Sequence, residues 1–155
     1  DLGLTAMNGM IDQILNLPTP DFKSLVETRI FLELKLVKFA AARHTEKDLI
    51  EIEEAMENYR NKTLAGEDAV AEDLLFHLAI AKASHNPSLS RLMLSITPQI
   101  ITDFEKYHVC KSNTAINAID EHQAIVDAIR VKDAALAEEK MKEHFSVLYQ
   151  YCYET

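Results

Sequence analysis

Little in this sequence interrupts a helical rhythm. Apolar residues recur at intervals of three and four along almost the whole chain, and the 155 residues include only three Gly and four Pro. No segment alternates apolar and polar residues long enough to form a half-buried strand. A chain with this pattern satisfies its backbone amides inside helices and buries one stripe of each. The expected fold class is therefore all-α: a single antiparallel bundle of six to seven helices with short connections, whose centre is the place for any metal or ligand pocket.

The breakers and caps set the expected elements. A first helix covers residues 4–17 and stops at "LPTP". A second starts after Thr19, with Pro20 in its first turn, and runs to Arg43. Thr45, with Asp48 three residues on, caps a third helix that ends at Leu64, before Gly66. A fourth covers 67–84, and Asn86-Pro87 opens a fifth that Pro98 should kink. The segment "CKSNT" separates it from a sixth, which reaches Val131, and Asp133 caps a seventh that continues to the C-terminus.

Composition narrows the function. The formal net charge is −9, which argues against this chain itself gripping nucleic acid, since that requires a basic face against the phosphates. No apolar run is long enough to cross a membrane, and no signal-peptide pattern opens the sequence. Cys110 and Cys152 lack metal or redox spacing, so reduced thiols and a cytoplasmic location are expected.

The histidines carry more information. Of six, His44, His85 and His108 fall at helix ends or connections and take no role. His77 shares a helical face with Val70, Leu74, Ile80 and Ala81. His122 shares one with Ile119, Ile125, Val126 and Ile129, and His144 with Ala137, Met141, Phe145 and Leu148. Asp73 stands one turn before His77 on the same stripe. A single histidine on an apolar face is ordinarily a hydrogen-bonded core residue. Three of them together with a carboxylate are harder to bury separately, because an unpaired buried carboxylate costs several kcal/mol. One divalent cation satisfies all four groups. The donor set suits zinc first, with nickel, manganese or iron as alternatives.

The spacing excludes two metal classes. The HExxH signature of zinc proteases is absent. Di-iron bundles need Glu three residues before His, and Leu74, Ile119 and Met141 occupy those places. A mononuclear site remains, able to activate water, to hold an anionic small molecule, or simply to staple the bundle. Hydrolysis would need a base beside the metal. Glu121 and Glu143 precede ligand histidines but point about 100° away from them, which makes them poor candidates.

Three blocks resemble a known family. "LVETRIFLELKLVKFAAARHTEKDL" is similar to an opening E-x-R-x-x-x-E helix. "EDLLFHLAIAKASHNPSLSRLM" resembles D-x-x-F-H-x-x-I followed by N-P-x-L, and "DEHQAIVDAIRVKDAALAEEKMKEHF" resembles a closing E-H-x-x-I block with M-x-x-H. Together they resemble the FCD domain, the C-terminal effector-binding domain of the FadR branch of GntR-type bacterial transcription regulators. The resemblance covers nearly the whole chain, 1–155, as one domain. Residues 1–18 would hold the end of an interdomain linker and the first sensor helix, and 19–155 the rest of the bundle. The winged helix-turn-helix of such regulators is absent from this sequence. The resemblance implies metal ligands at Asp73, His77, His122 and His144, a small organic acid as effector, a homodimer, and contact with DNA only through the absent domain.

Three further residues are candidates for effector contact. Arg29 lies on an inward face and either grips a carboxylate or pairs with Glu33 one turn on. Asn86 either caps the fifth helix or turns its amide to the pocket. Thr97 lies in "SITPQIITDFEKY", where relatives often carry arginines, so the effector's charge and size stay open. Tyr107, Tyr149, Tyr151 and Tyr153 stay unassigned.

Overall fold

The computed structural model describes residues 1–107 and 112–149, leaving aside the side chains of 104–107 and 112–114. Cys110, Cys152, His108, Tyr151, Tyr153 and the side chain of Tyr107 lie outside the described residues. Seven helices make up the described chain: α1 (Leu2–Leu15), α2 (Phe22–Arg43), α3 (Glu46–Leu64), α4 (Val70–Ala83), α5 (Pro87–Tyr107), α6 (Ser112–Arg130) and α7 (Ala134–Leu148). The all-α class and the helix count are as the periodicity requires.

Local side-chain chemistry fixes the helix starts. Thr45 Oγ1 accepts from the Asp48 amide at 3.1 Å while Asp48 Oδ2 accepts from the Thr45 amide at 2.9 Å, the expected reciprocal cap of α3. Asn86 Oδ1 accepts from the Leu89 amide and Asp133 Oδ1 from the Leu136 amide, so α5 and α7 also start as expected. Gly66 supplies the left-handed turn after α3, with φ 76°.

Several boundaries differ from expectation, and two of the differences have a clear local cause. Pro20 lies outside α2, because Asp21 forms a capping box with Ser24 and starts the helix two residues later, at Phe22. α4 begins at Val70, not at 67, because Asp68 Oδ1 takes the Val70 amide in a local turn. At Pro98, α5 continues unbroken as helix. The carbonyl that loses its donor belongs to Leu94, a surface residue 49% exposed.

α2 is the central element, packed against α4, α5, α6 and α7, while α3 with α4 and α6 with α7 form adjacent pairs. Ala40, Ala41 and Ala137 are fully buried, and their small side chains let the helices approach closely. Phe76, Phe145, Ile125, Ile129 and Met141 fill the core around them. α1 behaves differently: it forms a helix but buries none of its residues, leaving Leu4, Met7, Ile11 and Ile14 exposed along one side. Among the described residues no helix is long and apolar enough to cross a membrane.

Candidate metal centre

α4 places Asp73 in its first turn, where the helix dipole favours a carboxylate, and His77 one turn on. α6 brings His122 and α7 brings His144 to the same point. One candidate ligand atom from each of these four residues lies within 4.8 Å of all the others. Asp73 Oδ1 is 3.0 Å from His122 Nε2 and 3.5 Å from His77 Nε2. The three imidazoles are almost completely buried. The His77 and His144 rings lie face to face at 5.4 Å, with His122 edge-on to both.

The hydrogen bonding of this cluster is incomplete. Both ring nitrogens of His77 and of His122, and Nε2 of His144, are buried without a hydrogen bond of acceptable geometry. Unpaired buried nitrogens are costly, and neutral imidazole nitrogens converging on a carboxylate oxygen are what a divalent cation coordinates. The residues present therefore fit a metal.

The outer sides of the rings are supported unequally. Glu121 Oε1 accepts from His144 Nδ1 at 2.6 Å. Glu33 Oε1 lies 2.8 Å from His77 Nδ1, out of line for a hydrogen bond, and Glu33 Oε2 lies 3.2 Å from Arg29 Nε. Arg29 donates in turn to the Tyr149 hydroxyl at 2.8 Å. His122 is held by aromatic rings instead, stacked on Phe76 at 4.3 Å and tilted against Tyr59 at 4.6 Å.

Charge is shared unevenly across the cluster. Burial pushes the Asp73 carboxyl up, but His77 and His122 outweigh it and hold the group well below its ordinary range. Burial likewise opposes Glu33, and His77 and Arg29 together leave it lowered. For His77 burial favours the neutral form, yet Glu33 and Asp73 on either side raise it to about 9. Burial dominates at His122 and takes it down to about 4, despite Asp73. Near neutral pH and without a metal, these shifts favour the imidazolium form of His77 and the neutral form of His122.

A cavity of about 260 Å³ opens beside the cluster. Asp73, His144 and Glu121 reach its wall, together with Tyr59, Val70 and Leu148. Arg29 and Thr97 meet Asp73 in a separate cleft of only about 10 Å³, where Thr97 Oγ1 donates to the Met93 carbonyl at 2.7 Å. Arg29 is paired with Glu33, one of the two roles its position allowed. Asn86, besides capping α5, borders a surface groove with Leu78 and Arg91, apart from the four-residue cluster.

The contacts behind the ligands are not legible in the sequence. The helical geometry that turns Glu121 away from His122 is the same geometry that sends it across to His144 on α7. The pairing of Glu33 with Arg29 was readable from their spacing, but its approach to His77 was not, because α2 and α4 are separate in sequence.

The structure is thus an all-α bundle in which a carboxylate and three imidazoles from three helices converge. The chain belongs to the FCD domain family, whose model matches residues 24–147. It is 32% identical over 130 residues to the HTH-type transcriptional regulator LutR of Bacillus subtilis, covering 81% of this chain and 59% of the relative. It is 29% identical over 116 residues to the galactonate operon transcriptional repressor of Escherichia coli, covering 75% of this chain and 51% of that one. The chain thus spans between half and three-fifths of the length of these two relatives. Among solved structures it is similar to Streptococcus agalactiae GntR, with a TM-score of 0.73 and 24% identity over 84% of this chain and 58% of that chain. That likeness establishes the helical fold.

Proposed function

We propose that this chain is the effector-sensing domain of a GntR-type transcription regulator that acts in the cytoplasm. In this reading it holds one divalent metal ion, zinc first, on Asp73, His77, His122 and His144. The observation that carries the reading is the cluster of buried, unpaired imidazole nitrogens around one carboxylate oxygen. A divalent cation on one carboxylate retains about one positive charge and supplies Lewis acidity with open positions for an oxygen donor.

The effector in this reading is a small organic acid, received in the cavity beside Asp73 and His144. One relative is the repressor of a galactonate operon, which is in keeping with a sugar acid or hydroxy acid. Effector binding would bias helix packing, and the bias would pass to a winged helix-turn-helix in the part of such regulators that this chain does not span. That coupling requires different effector affinities in two arrangements of the domain. A homodimer belongs to the same reading, because such regulators bind two-fold sites and α1 offers an uncovered apolar side. Glu121, which directly precedes His122, is engaged by His144 Nδ1, which supports sensing over hydrolysis.

Elemental analysis of the purified chain, compared with His77→Ala and His144→Ala, tests the first step. About one metal per chain, lost in both variants, is expected. No metal after reconstitution would overturn the metal site. A thermal-shift screen of hydroxy acids against the metal-loaded chain then tests the effector class, and stabilisation is expected only where all four ligands are intact.

A further inference from the structure

We propose that Glu121 is a positioning residue for this centre, fixing His144 in the tautomer that presents Nε2 to the other ligands. The inference rests on the metal-binding reading above. Glu121 Oε1 and His144 Nδ1 are 2.6 Å apart in good hydrogen-bond geometry. A carboxylate only accepts, so the ring proton stays on Nδ1 and the lone pair stays on Nε2. That Nε2 is the buried nitrogen of His144 that lacks a partner. The carboxylate and the open coordination atom thus lie on opposite sides of one ring, the arrangement that orients an imidazole and strengthens it as a ligand.

The other two imidazoles sharpen the assignment. Glu33 approaches His77 Nδ1 out of line and is also tied to Arg29. His122 has no hydrogen bond at Nδ1 and is oriented by Phe76 and Tyr59. Among the described residues, the one in-line carboxylate hydrogen bond to a ligand imidazole on the side away from the cluster is that of Glu121 to His144. The residue reaches it because it directly precedes His122 on α6, where neighbouring side chains diverge by about 100°. One short stretch of α6 thereby provides a ligand with His122 and the support for a ligand on another helix.

Two measurements test this. The first is ¹⁵N NMR of histidine-labelled, chelator-stripped chain in mildly alkaline buffer. His144 is expected as the Nδ1–H tautomer in the parent and as a mixture in Glu121→Gln, a change that a merely structural role would not produce. The second is zinc affinity by competition with a chromophoric chelator. Glu121→Ala is expected to weaken binding about 10–100-fold, with Glu121→Gln between it and the parent. An Nε2–H tautomer in the parent, or unchanged zinc affinity in both folded variants, overturns the assignment. If Glu121→Ala does not fold, the parent spectrum and Glu121→Gln still decide. A parent chain that takes up no zinc defeats the metal reading instead, and the tautomer seen in that same chain still decides for or against Glu121.

Discussion

The hydroxyl of Tyr149 accepts a 2.8 Å hydrogen bond from the Arg29 guanidinium, joining the end of α7 to the middle of α2 in a fully buried contact. Burial works against the charge on Arg29, but Tyr149, Glu33 and Asp73 more than offset it, so the group stays a cation. Burial also raises the Tyr149 hydroxyl, which stays protonated. Tyr149→Phe removes this acceptor while keeping the ring that stacks on Phe145. A hydrogen bond to a buried charge contributes about 1.5–3 kcal/mol, and a loss of that size is expected in denaturant unfolding.

The metal-free chain should be most stable close to neutral pH. His77 is raised from 6.5 to about 9, so its contribution is complete below 6.5 and is lost as pH rises through 9. His122 is lowered from 6.5 to about 4, so the unfolded chain takes up its proton first, and stability also falls as pH drops from 6.5 towards 4. Urea unfolding of chelator-stripped protein across this range checks both arms. His77→Gln should flatten the alkaline arm and leave the acid arm in place.

Pro98 is a second source of measurable energy. A proline inside a helix costs about 3 kcal/mol, partly offset by about 1 kcal/mol from the stiffer unfolded chain. Pro98→Ala restores a donor to the Leu94 carbonyl and should stabilise the domain by about 2 kcal/mol. A destabilised variant would show that the proline ring itself makes packing contacts that outweigh the lost backbone bond.

The faces of the helices were legible because the helical period is a local property. It put Asp73, His77, His122 and His144 on inward stripes before any packing was known, and the structure brings those four residues together. Caps were equally local, and Thr45, Asn86 and Asp133 behave as their side chains dictate. What depended on rotation and spacing between helices was not legible. Glu121 meeting His144, Glu33 meeting His77 and Phe76 stacking on His122 each join separate helices, and the sequence of one helix holds no record of its neighbour's azimuth. The exposure of α1 is not legible for a related reason. Amphipathic spacing specifies that a helix has an apolar side, not that this chain alone provides something to cover it.

That uncovered side gives α1 an unusual thermodynamic position. A lone helix of 14 residues is near the lower limit of what persists in water without tertiary support. Its Asp1 cap, which accepts from the Gly3 amide at 2.9 Å, is worth only about 1 kcal/mol. The helicity of this segment is therefore marginal on its own and moves with whatever desolvates Leu4, Met7, Ile11 and Ile14. Its helicity acts as a gauge of association, and amide exchange in α1 should slow in step with contact made there while the rest of the bundle is unchanged.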